Sequence, residues 1–189
     1  MSPSSLLFYL GVNKRLPNLQ HHNLFFDESL DDHCVEIYTE PAWPDKPLFY
    51  ACVPSITDPS TAPDGHENLF ILVPLAPALE DTPELRERCF NLVMDRLENR
   101  IGESVRDCLI YKRSYAHRDF EGDYHSYKGN AYGLANTLFQ TAFFKPSMKS
   151  RVPNLHFAGQ LTSPGQQMPH RCPLYPIVAQ PVRPPLSTW

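Results

Sequence analysis

The sequence predicts a mixed α/β fold of the α+β type, in which a sheet with long connections carries a few helices. Two observations favour this class. Short apolar runs of strand length recur through the first half of the chain, and one later segment has the caps and the periodicity of an amphipathic helix. A third observation sets the end of the chain apart: six of the last 24 residues are proline, which predicts a proline-rich irregular tail.

Four strands are predicted before the helix. Turn-forming sequences such as LPN, PDKP, TDPS and APDGHEN separate them, and these long connections indicate a mixed or antiparallel sheet. The runs are Leu6–Val12, Leu24–Phe26, Leu48–Val53 and Leu69–Leu75. The first run has no basic residues ahead of it, so we interpret it as a buried strand and not as a signal peptide.

The helix is predicted to begin after Thr82, whose hydroxyl can cap it, with Pro83 at the first helical position. Gly102 supplies a left-handed end. Apolar residues recur at helical spacing and predict one buried face: Leu85, Cys89, Leu92, Val93, Leu97 and Ile101. The charged residues on the other side predict a solvated surface: Glu84, Arg86, Glu87, Arg88, Asp95, Arg96 and Glu98.

Three further elements are predicted after the helix. The run SVRDCLIYKRSYAHRDF suits a strand around Leu109–Tyr111, and Leu134–Phe143 suits a short helix. Leu155–Ala158 reads as a short buried strand that opens into a turn marked by glycine and proline.

Bulk composition bounds the function. Hydrophobic residues make up 42% of the chain and charged residues 20%, so a packed core is expected. The net charge of −4 gives no general attraction for nucleic acid. Five cysteines without C-x-x-C spacing favour reduced thiols in a cytoplasmic chain, and no apolar run is long enough to span a bilayer.

Two clusters were weighed as metal sites. The runs His21–Asn23 and Asp31–Cys34 contain ligand side chains, but neither has helical i, i+4 spacing and no second pair completes a tetrahedral set. We interpret both as polar residues of surface loops and expect no metal. His170 and Cys172 do not predict a nucleophile–base pair, because a proline-rich tail gives them no rigid scaffold.

Two other segments leave alternatives open. Gly129 and Gly133 would let backbone approach a flat ligand, or they form an ordinary loop-to-helix corner. The segment TAFFKPSMKSRV places aromatic beside basic side chains, which suits a membrane interface, or it is a lysine-edged core helix. Its candidate membrane residues are Phe143, Phe144, Lys145, Lys149 and Arg151.

Four long stretches carry a resemblance to a known family. They are LLFYLGVNKRLPNLQHHNLFFDE, KPLFYACVPSITDPSTAPDGHENLFILVPLAP, YKRSYAHRDFEGDYHSYKGNAYGLANTLFQTA and NLHFAGQLTSPG. In order and spacing they resemble the C-terminal third of bacterial-type phytoene desaturases, FAD-dependent carotenoid desaturases of the amine-oxidase-like flavoproteins. The resemblance is continuous over about residues 1–165.

The resemblance implies three parts. Residues 1–150 would be a partial substrate-binding domain whose sheet carries helices, and residues 151–165 would hold the last strand of an incomplete Rossmann-like FAD-binding domain. Residues 166–189 would be the irregular tail, which we interpret as the product of a reading-frame shift after Gly165. Translation of the DNA in the other two frames would test that shift.

The resemblance also implies the activity and its sites. Family members pass hydride from an apolar polyene to FAD, at the membrane periphery. A family turn of the form Gly-x-x-x-x-Pro-Gly-x-Gly-x-Pro lies on the flavin. Its matching cofactor residues here are Gly159, Gln160, Pro164, Gly165 and Met168, while Gln167 replaces its second glycine. Tyr132, Gly133 and Leu134 are implied near the substrate, and no catalytic acid or base is named.

One departure limits the expected activity. The sequence contains no G-x-G-x-x-G, the fingerprint that grips the ADP half of FAD in this family. We therefore expect this polypeptide alone to bind FAD weakly or not at all and to be inactive. The alternatives are a non-catalytic module that binds an apolar ligand or a membrane surface, and a product without function.

Overall fold

The computed structural model describes residues 2–135, 146–157, 159 and 162. The chain divides into two compact units, Met1–Ala131 and Tyr132–Trp189. The first unit contains five strands and three α-helices among its described residues. They are β1 (Ser4–Val12), β2 (His22–Phe25), α1 (Leu30–Tyr38), β3 (Phe49–Cys52), β4 (Glu67–Leu75), α2 (Pro83–Ile101), β5 (Leu109–Tyr115) and α3 (His117–Tyr124).

The five strands form one sheet in the order β2-β3-β4-β1-β5, and every neighbouring pair is antiparallel. All four predicted early strands are present, and the predicted run after the helix contains β5. The sheet, predicted as mixed or antiparallel, is antiparallel. The strand order depends on long-range pairing, because the two neighbours of β1 in the sheet, β4 and β5, are distant from β1 in sequence.

Strands β1 and β4 form the centre of the core. Their side chains alternate between a fully buried face and a partly exposed one, as expected of a sheet covered on one side. The covering element is α2, and the rings of Phe8 and Phe90 meet edge to face at 5.2 Å between centroids. The face of the sheet that packs against α2 is called the inner face below.

Helix α2 is confirmed from cap to cap. The Thr82 hydroxyl accepts a hydrogen bond from the amide of Leu85, and Gly102 has a φ of 73° and donates its amide to the carbonyl of Glu98. The buried residues of the helix are Cys89, Phe90, Val93, Met94, Leu97 and Ile101. The predicted face is correct in part, because Leu85 and Leu92 are half-buried while Phe90 and Met94 are buried instead. Capping is a local property, so the sequence determines the bounds of the helix.

The prediction of a solvated opposite face is wrong in part. Arg86 and Arg96 each keep only 16% of their side chains exposed, because each forms an ion pair with an aspartate outside the helix. The Glu98 carboxylate accepts the amides of Val105 and Arg106, which closes the loop after the helix. Partners outside the helix therefore bury charges that the helical pattern alone places in solvent.

Two helices were missed in the sequence. Ser29 caps α1 by accepting the amide of Asp32, and the helix buries His33 and Ile37. The prediction that Asp31–Cys34 lie in a surface loop is therefore wrong. Helix α1 has only nine residues and buries one apolar side chain among polar ones, so its periodicity is weak.

Helix α3 takes the end of the run that was predicted as strand. The strand stops at Tyr115, and the carboxylate of Asp119 accepts the amide of Ala116 at the start of the helix. Asp119, which caps this helix, lies four residues after the last residue of the strand. The run around it otherwise has the pattern of a continuous strand, so the boundary was not predicted.

The second unit begins with bends at residues 132–134. Leu134 and Ala135 are not helical, and the rest of the predicted helix Leu134–Phe143 lies outside the described residues. Residues 148–157 form a hairpin: the amide of Phe157 donates to the carbonyl of Met148, and Lys149 and His156 form an antiparallel bridge.

The predicted burial of the strand Leu155–Ala158 is wrong for its described residues. Leu155 and Phe157 are 44% and 51% exposed. A strand buries its side chains when neighbours cover both of its faces. In the described part of the second unit, its backbone partner is the connector at residues 148–150, which gives it one neighbour. The division into parts at residues 150 and 165 stays a prediction.

None of the helices in the described part of the chain is long and apolar enough to cross a membrane.

Candidate functional site

The face of the sheet opposite α2 is rich in aromatic and apolar side chains; we call it the outer face. The strand register brings its residues into two rows that cross all five strands. One row is Leu24, Tyr50, Leu72, Leu7 and Tyr115, and the other is His22, Cys52, Phe70, Tyr9 and Arg113. Tyr9 is 41% exposed and Leu24 is 67% exposed, so an apolar surface remains open to a ligand.

Ring contacts hold the centre of the outer face in place. The centroids of Tyr9 and Phe70 lie 5.4 Å apart, and those of Tyr50 and Phe70 lie 6.4 Å apart. Such tilted and edge-to-face pairs are favourable geometries for aromatic rings. The three rings thus form one packed aromatic cluster across β3, β4 and β1, which we call the platform.

The phenols at the two sides of the platform remain protonated. A hydrogen bond to Cys52, with some burial, raises the pKa of Tyr50 to about 12. Burial, followed by the hydrogen bond to the Asp123 carboxylate, also raises the pKa of Tyr115, whose hydroxyl donates to Asp123 at 2.9 Å. Neither phenol is therefore a proton acceptor near neutral pH.

A cleft with charged side chains lies on the inner face of the sheet. It has a volume of about 390 Å³ and lies beside Phe8, Arg86, Lys112 and Asp119. Arg86 donates to both carboxylate oxygens of Asp81 at 2.6 Å and lies 2.8 Å from Asp119. These ion pairs connect α2 to α3. Because they are charged, the cleft is a poor site for an apolar ligand.

Gly129 packs against protein backbone. A Cβ at this position would stand 2.7 Å from the Cα of His117, and φ is 59°. The carbonyl of Gly129 also accepts the hydroxyl of Ser4. The structure thus supports the ordinary-corner alternative at Gly129. In the second unit Gly133 is buried with a φ of 82°, while Tyr132 and Leu134 are half-buried.

Comparison with known proteins decides the family. The model of the flavin-containing amine oxidoreductase family matches residues 16–170. The chain belongs to the flavin-containing amine oxidoreductases. This confirms the resemblance, and the family implies a flavin cofactor.

Relatives in this family are named as carotenoid desaturases. A carotenoid 3,4-desaturase of Haloarcula japonica is 44% identical over 169 residues, which cover 89% of this chain and 34% of the relative. A lycopene-forming phytoene desaturase of Pseudescherichia vulneris is 32% identical over 177 residues, which cover 89% of this chain and 35% of the relative. A zeta-carotene-forming phytoene desaturase of Myxococcus xanthus is 33% identical, covering 88% and 33%. The chain spans about a third of the length of these relatives.

The residues predicted to hold the flavin of the family lie in the second unit. Gly159 has a φ of 135°, which favours glycine, and its carbonyl accepts both the amide and the hydroxyl of Thr162. The described residues leave the space where its Cβ would stand open to 4 Å. Gln160, Pro164, Gly165 and Met168 lie outside the described residues, so their role stays a prediction.

Two of the five predicted membrane residues lie within the described part of the chain. Lys149 and Arg151 are exposed on the 148–157 hairpin, beside the exposed side chains of Val152 and Phe157. Phe143, Phe144 and Lys145 lie outside the described residues.

The outer face was missed in the sequence, although a signal for it exists. Strands β1 and β4 read as continuous apolar runs, and a strand in a sheet that is covered on one side alternates apolar with polar residues. Tyr9, Phe70 and Leu72 occupy the positions where that alternation predicts polar side chains. Apolar residues at such positions indicate a face kept for a ligand or another layer.

Proposed function

We propose that this chain is the polyene-holding part of an FAD-dependent carotenoid desaturase, which removes hydrogen from CH–CH bonds of a phytoene-like precursor in carotenoid biosynthesis. The outer face, with its platform of Tyr9, Tyr50 and Phe70, carries the proposal. The names of the relatives support the substrate class.

The chemistry of the substrate explains the fit. A carotenoid precursor is a long chain of apolar carbon with flat conjugated stretches, so it binds through burial of area and contact with ring faces. The rows of the outer face offer both, and contact with the platform would exclude water from the bond that reacts. The protein's task is to orient one C–H bond and to keep it dry.

A bound flavin would supply the redox chemistry by accepting the hydride from the substrate. We propose that Gly159, Gln160, Pro164, Gly165 and Met168 hold it, with Tyr132, Gly133 and Leu134 near the substrate. The open side of Gly159 fits close approach of a flat ring. Because the sequence has no G-x-G-x-x-G, we expect the 189-residue chain to purify without stoichiometric FAD and to be inactive alone.

A binding experiment tests the proposal on the chain itself. Lycopene is achiral, so a circular dichroism signal in its visible band reports that it lies on a chiral protein surface. The chain should induce this signal, and Tyr9→Ser and Phe70→Ser should each reduce it strongly. Tyr38→Ser, which removes a 68%-exposed ring on α1, is the matched control and should leave the signal unchanged. An equal loss in all three variants would refute the assignment.

A second function is favoured by the 148–157 hairpin: binding to an anionic membrane surface at the cytoplasmic periphery. Val152, Leu155 and Phe157 are exposed apolar side chains, and Lys149 and Arg151 are exposed cations in the same hairpin. Apolar side chains enter the interface while cations meet lipid phosphates. This function needs no flavin.

Co-sedimentation with liposomes tests it. The chain should bind vesicles that contain anionic lipid better than neutral ones, and Phe157→Ser and Arg151→Glu should each weaken binding. Val35→Ser, at a 41%-exposed position on α1, is the control. Equal binding by all variants would refute the role of the hairpin.

A further inference from the structure

We propose that His21, His22 and Cys52 form a surface site for a zinc-class divalent metal ion at the β2–β3 edge of the sheet. One ring nitrogen from each histidine and the sulfur of the cysteine all lie within 4.8 Å of one another. His22 and Cys52 stand in the same row of the outer face as Phe70 and Tyr9, but metal binding by them requires neither a flavin nor a polyene.

Strand pairing assembles the cluster. His22 of β2 lies directly opposite Cys52 of β3, and its Nδ1 atom is 3.9 Å from the cysteine sulfur. His21 precedes β2, its carbonyl accepts the amide of Val53, and its ring lies 4.2 Å from that of His22. Thirty residues separate the cysteine from the histidines, which is why the sequence led to an expectation of no metal.

The ligand types select the ion. Two imidazoles and a thiolate are ligands of Zn²⁺, whereas Ca²⁺ and Mg²⁺ take oxygen ligands, and the cluster contains no carboxylate. Bond lengths of about 2.0 Å to nitrogen and 2.3 Å to sulfur place the tetrahedral ligand atoms of this set roughly 3.3–3.5 Å apart. The nitrogen–sulfur distance of 3.9 Å must close by about 0.4 Å, and the other pairs, which lie within 4.8 Å, must close by up to about 1.5 Å.

The surroundings favour such a site. His22 is exposed while His21 and Cys52 are half-buried, so an ion reaches the cluster from solvent and water can complete a tetrahedron. The Thr57 hydroxyl lies 2.5 Å from Nδ1 of His21, and the Tyr50 hydroxyl lies 2.6 Å from Nδ1 of His22. The Thr57 contact would fix the His21 ring if Nε2 of that ring binds the ion. The Tyr50 hydroxyl occupies Nδ1 of His22, so it would have to turn away for that nitrogen to bind.

A bound ion would clamp the edge of the sheet. It would join the four-residue strand β2 to β3 and to the segment before β2. An ion that binds the folded chain and not the unfolded one raises the free energy of unfolding by an amount that grows with the logarithm of its free concentration above the Kd.

Cobalt titration of the whole chain, purified with chelator, tests the site. Co²⁺ should give one equivalent of binding with a thiolate charge-transfer band and tetrahedral d–d bands, which Zn²⁺ displaces. Cys52→Ser should abolish the charge-transfer band, and His21→Asn and His22→Asn should each weaken binding by about tenfold or more. Cys34→Ser and His66→Asn are the controls and should change neither result. Absence of the band, or its survival in Cys52→Ser, would overturn the proposal.

A second measurement needs no variant. Zn²⁺ should slow the alkylation of Cys52 by iodoacetamide, while the rate of alkylation at Cys34 stays the same. Mass spectrometry measures both rates. Both thiols are half-buried and free in the structure, so they are a matched pair. Equal rates at Cys52 with and without Zn²⁺ would also overturn the site.

Discussion

Tyr9 of β1 and Phe70 of β4 lie directly opposite each other, with ring centroids 5.4 Å apart, on the face of the sheet that α2 does not cover. The preceding residue of β1, Phe8, points the other way and meets Phe90 of α2. Two neighbouring aromatic residues therefore serve different purposes, one in the open platform and one in the core.

This difference predicts unequal stability effects. Phe8 is 1% exposed, so Phe8→Ala should lower the free energy of unfolding by about 3–5 kcal/mol through lost burial and a cavity. Tyr9→Ala removes a partly exposed ring and should cost about 1 kcal/mol. Urea denaturation followed by circular dichroism measures both. Equal costs would mean that the outer face is part of the core and not a binding surface.

Two glycines of positive φ predict a second contrast. Gly65→Ala and Gly129→Ala both force alanine into the left-handed region, at φ of 74° and 59°. At Gly65 the space is open, so the cost should be about 1 kcal/mol. At Gly129 the new Cβ would meet the backbone of His117 at 2.7 Å, and the total cost should reach about 2–4 kcal/mol.

Thermal melts of the two glycine variants test this contrast. A melting temperature for Gly129→Ala as high as that of Gly65→Ala would show that the corner can move away from α3.

The ion pair between Asp81 and Arg86 predicts acid sensitivity. Burial alone would raise the pKa of Asp81, but hydrogen bonds from Arg86 and from the amide of Arg118 hold it below its ordinary value of 3.8. A carboxyl with a depressed pKa in the folded state contributes stability above its unfolded pKa, and this is lost as pH falls through the folded value. We therefore expect the contribution to be complete at pH 5 and to decline below about pH 4.

Replacing the carboxylate tests the same pair at neutral pH. Asp81→Asn leaves Arg86 with Asp119 as a carboxylate partner and should cost about 2–3 kcal/mol in the free energy of unfolding. Asp45→Asn breaks a pair with Arg88 that is largely exposed and should cost less than about 0.5 kcal/mol. Equal costs in urea denaturation would contradict the buried role of Asp81.

His33 predicts a separate loss of stability at milder pH. Its Nδ1 accepts the amide of Leu48 and its Nε2 lies 3.0 Å from the carbonyl of Pro74, an arrangement that suits the neutral ring. Burial is the main cause that lowers the pKa of His33 below 6.5. The unfolded chain therefore takes up the proton first, and stability should fall as pH drops below about 6.5 toward the folded value.

Urea denaturation midpoints at pH 7.5 and pH 5.5 measure the loss of stability that is expected from protonation of His33. His33→Gln should lower the midpoint at pH 7.5 and reduce the drop between the two values. His125→Gln, at an exposed histidine after α3, should keep the full drop. An unchanged drop in His33→Gln would exclude His33 as the source.

The sequence alone carried much of the fold and little of the site. Helix α2 was predicted from Thr82 to Gly102, and the four early strands were predicted to within two residues at each end, while β5 extends four residues beyond its predicted end. Helix α1 was missed because only two of its residues, His33 and Ile37, are buried. One of the two is polar, so the helix shows no clear apolar periodicity. The flavin turn was predicted through family resemblance, while the outer face had to be built from strand register.

What the sequence determined by itself is local: caps, left-handed glycines, strand-length apolar runs and the stretches that carry the family. These depend on residues within a few positions of one another. Only the tertiary structure decided that Tyr9 meets Phe70, that Gly129 touches His117, and that Cys52 joins two histidines. Each of these contacts joins residues at least a dozen positions apart, and strand order and loop packing bring them together, which no local spacing records.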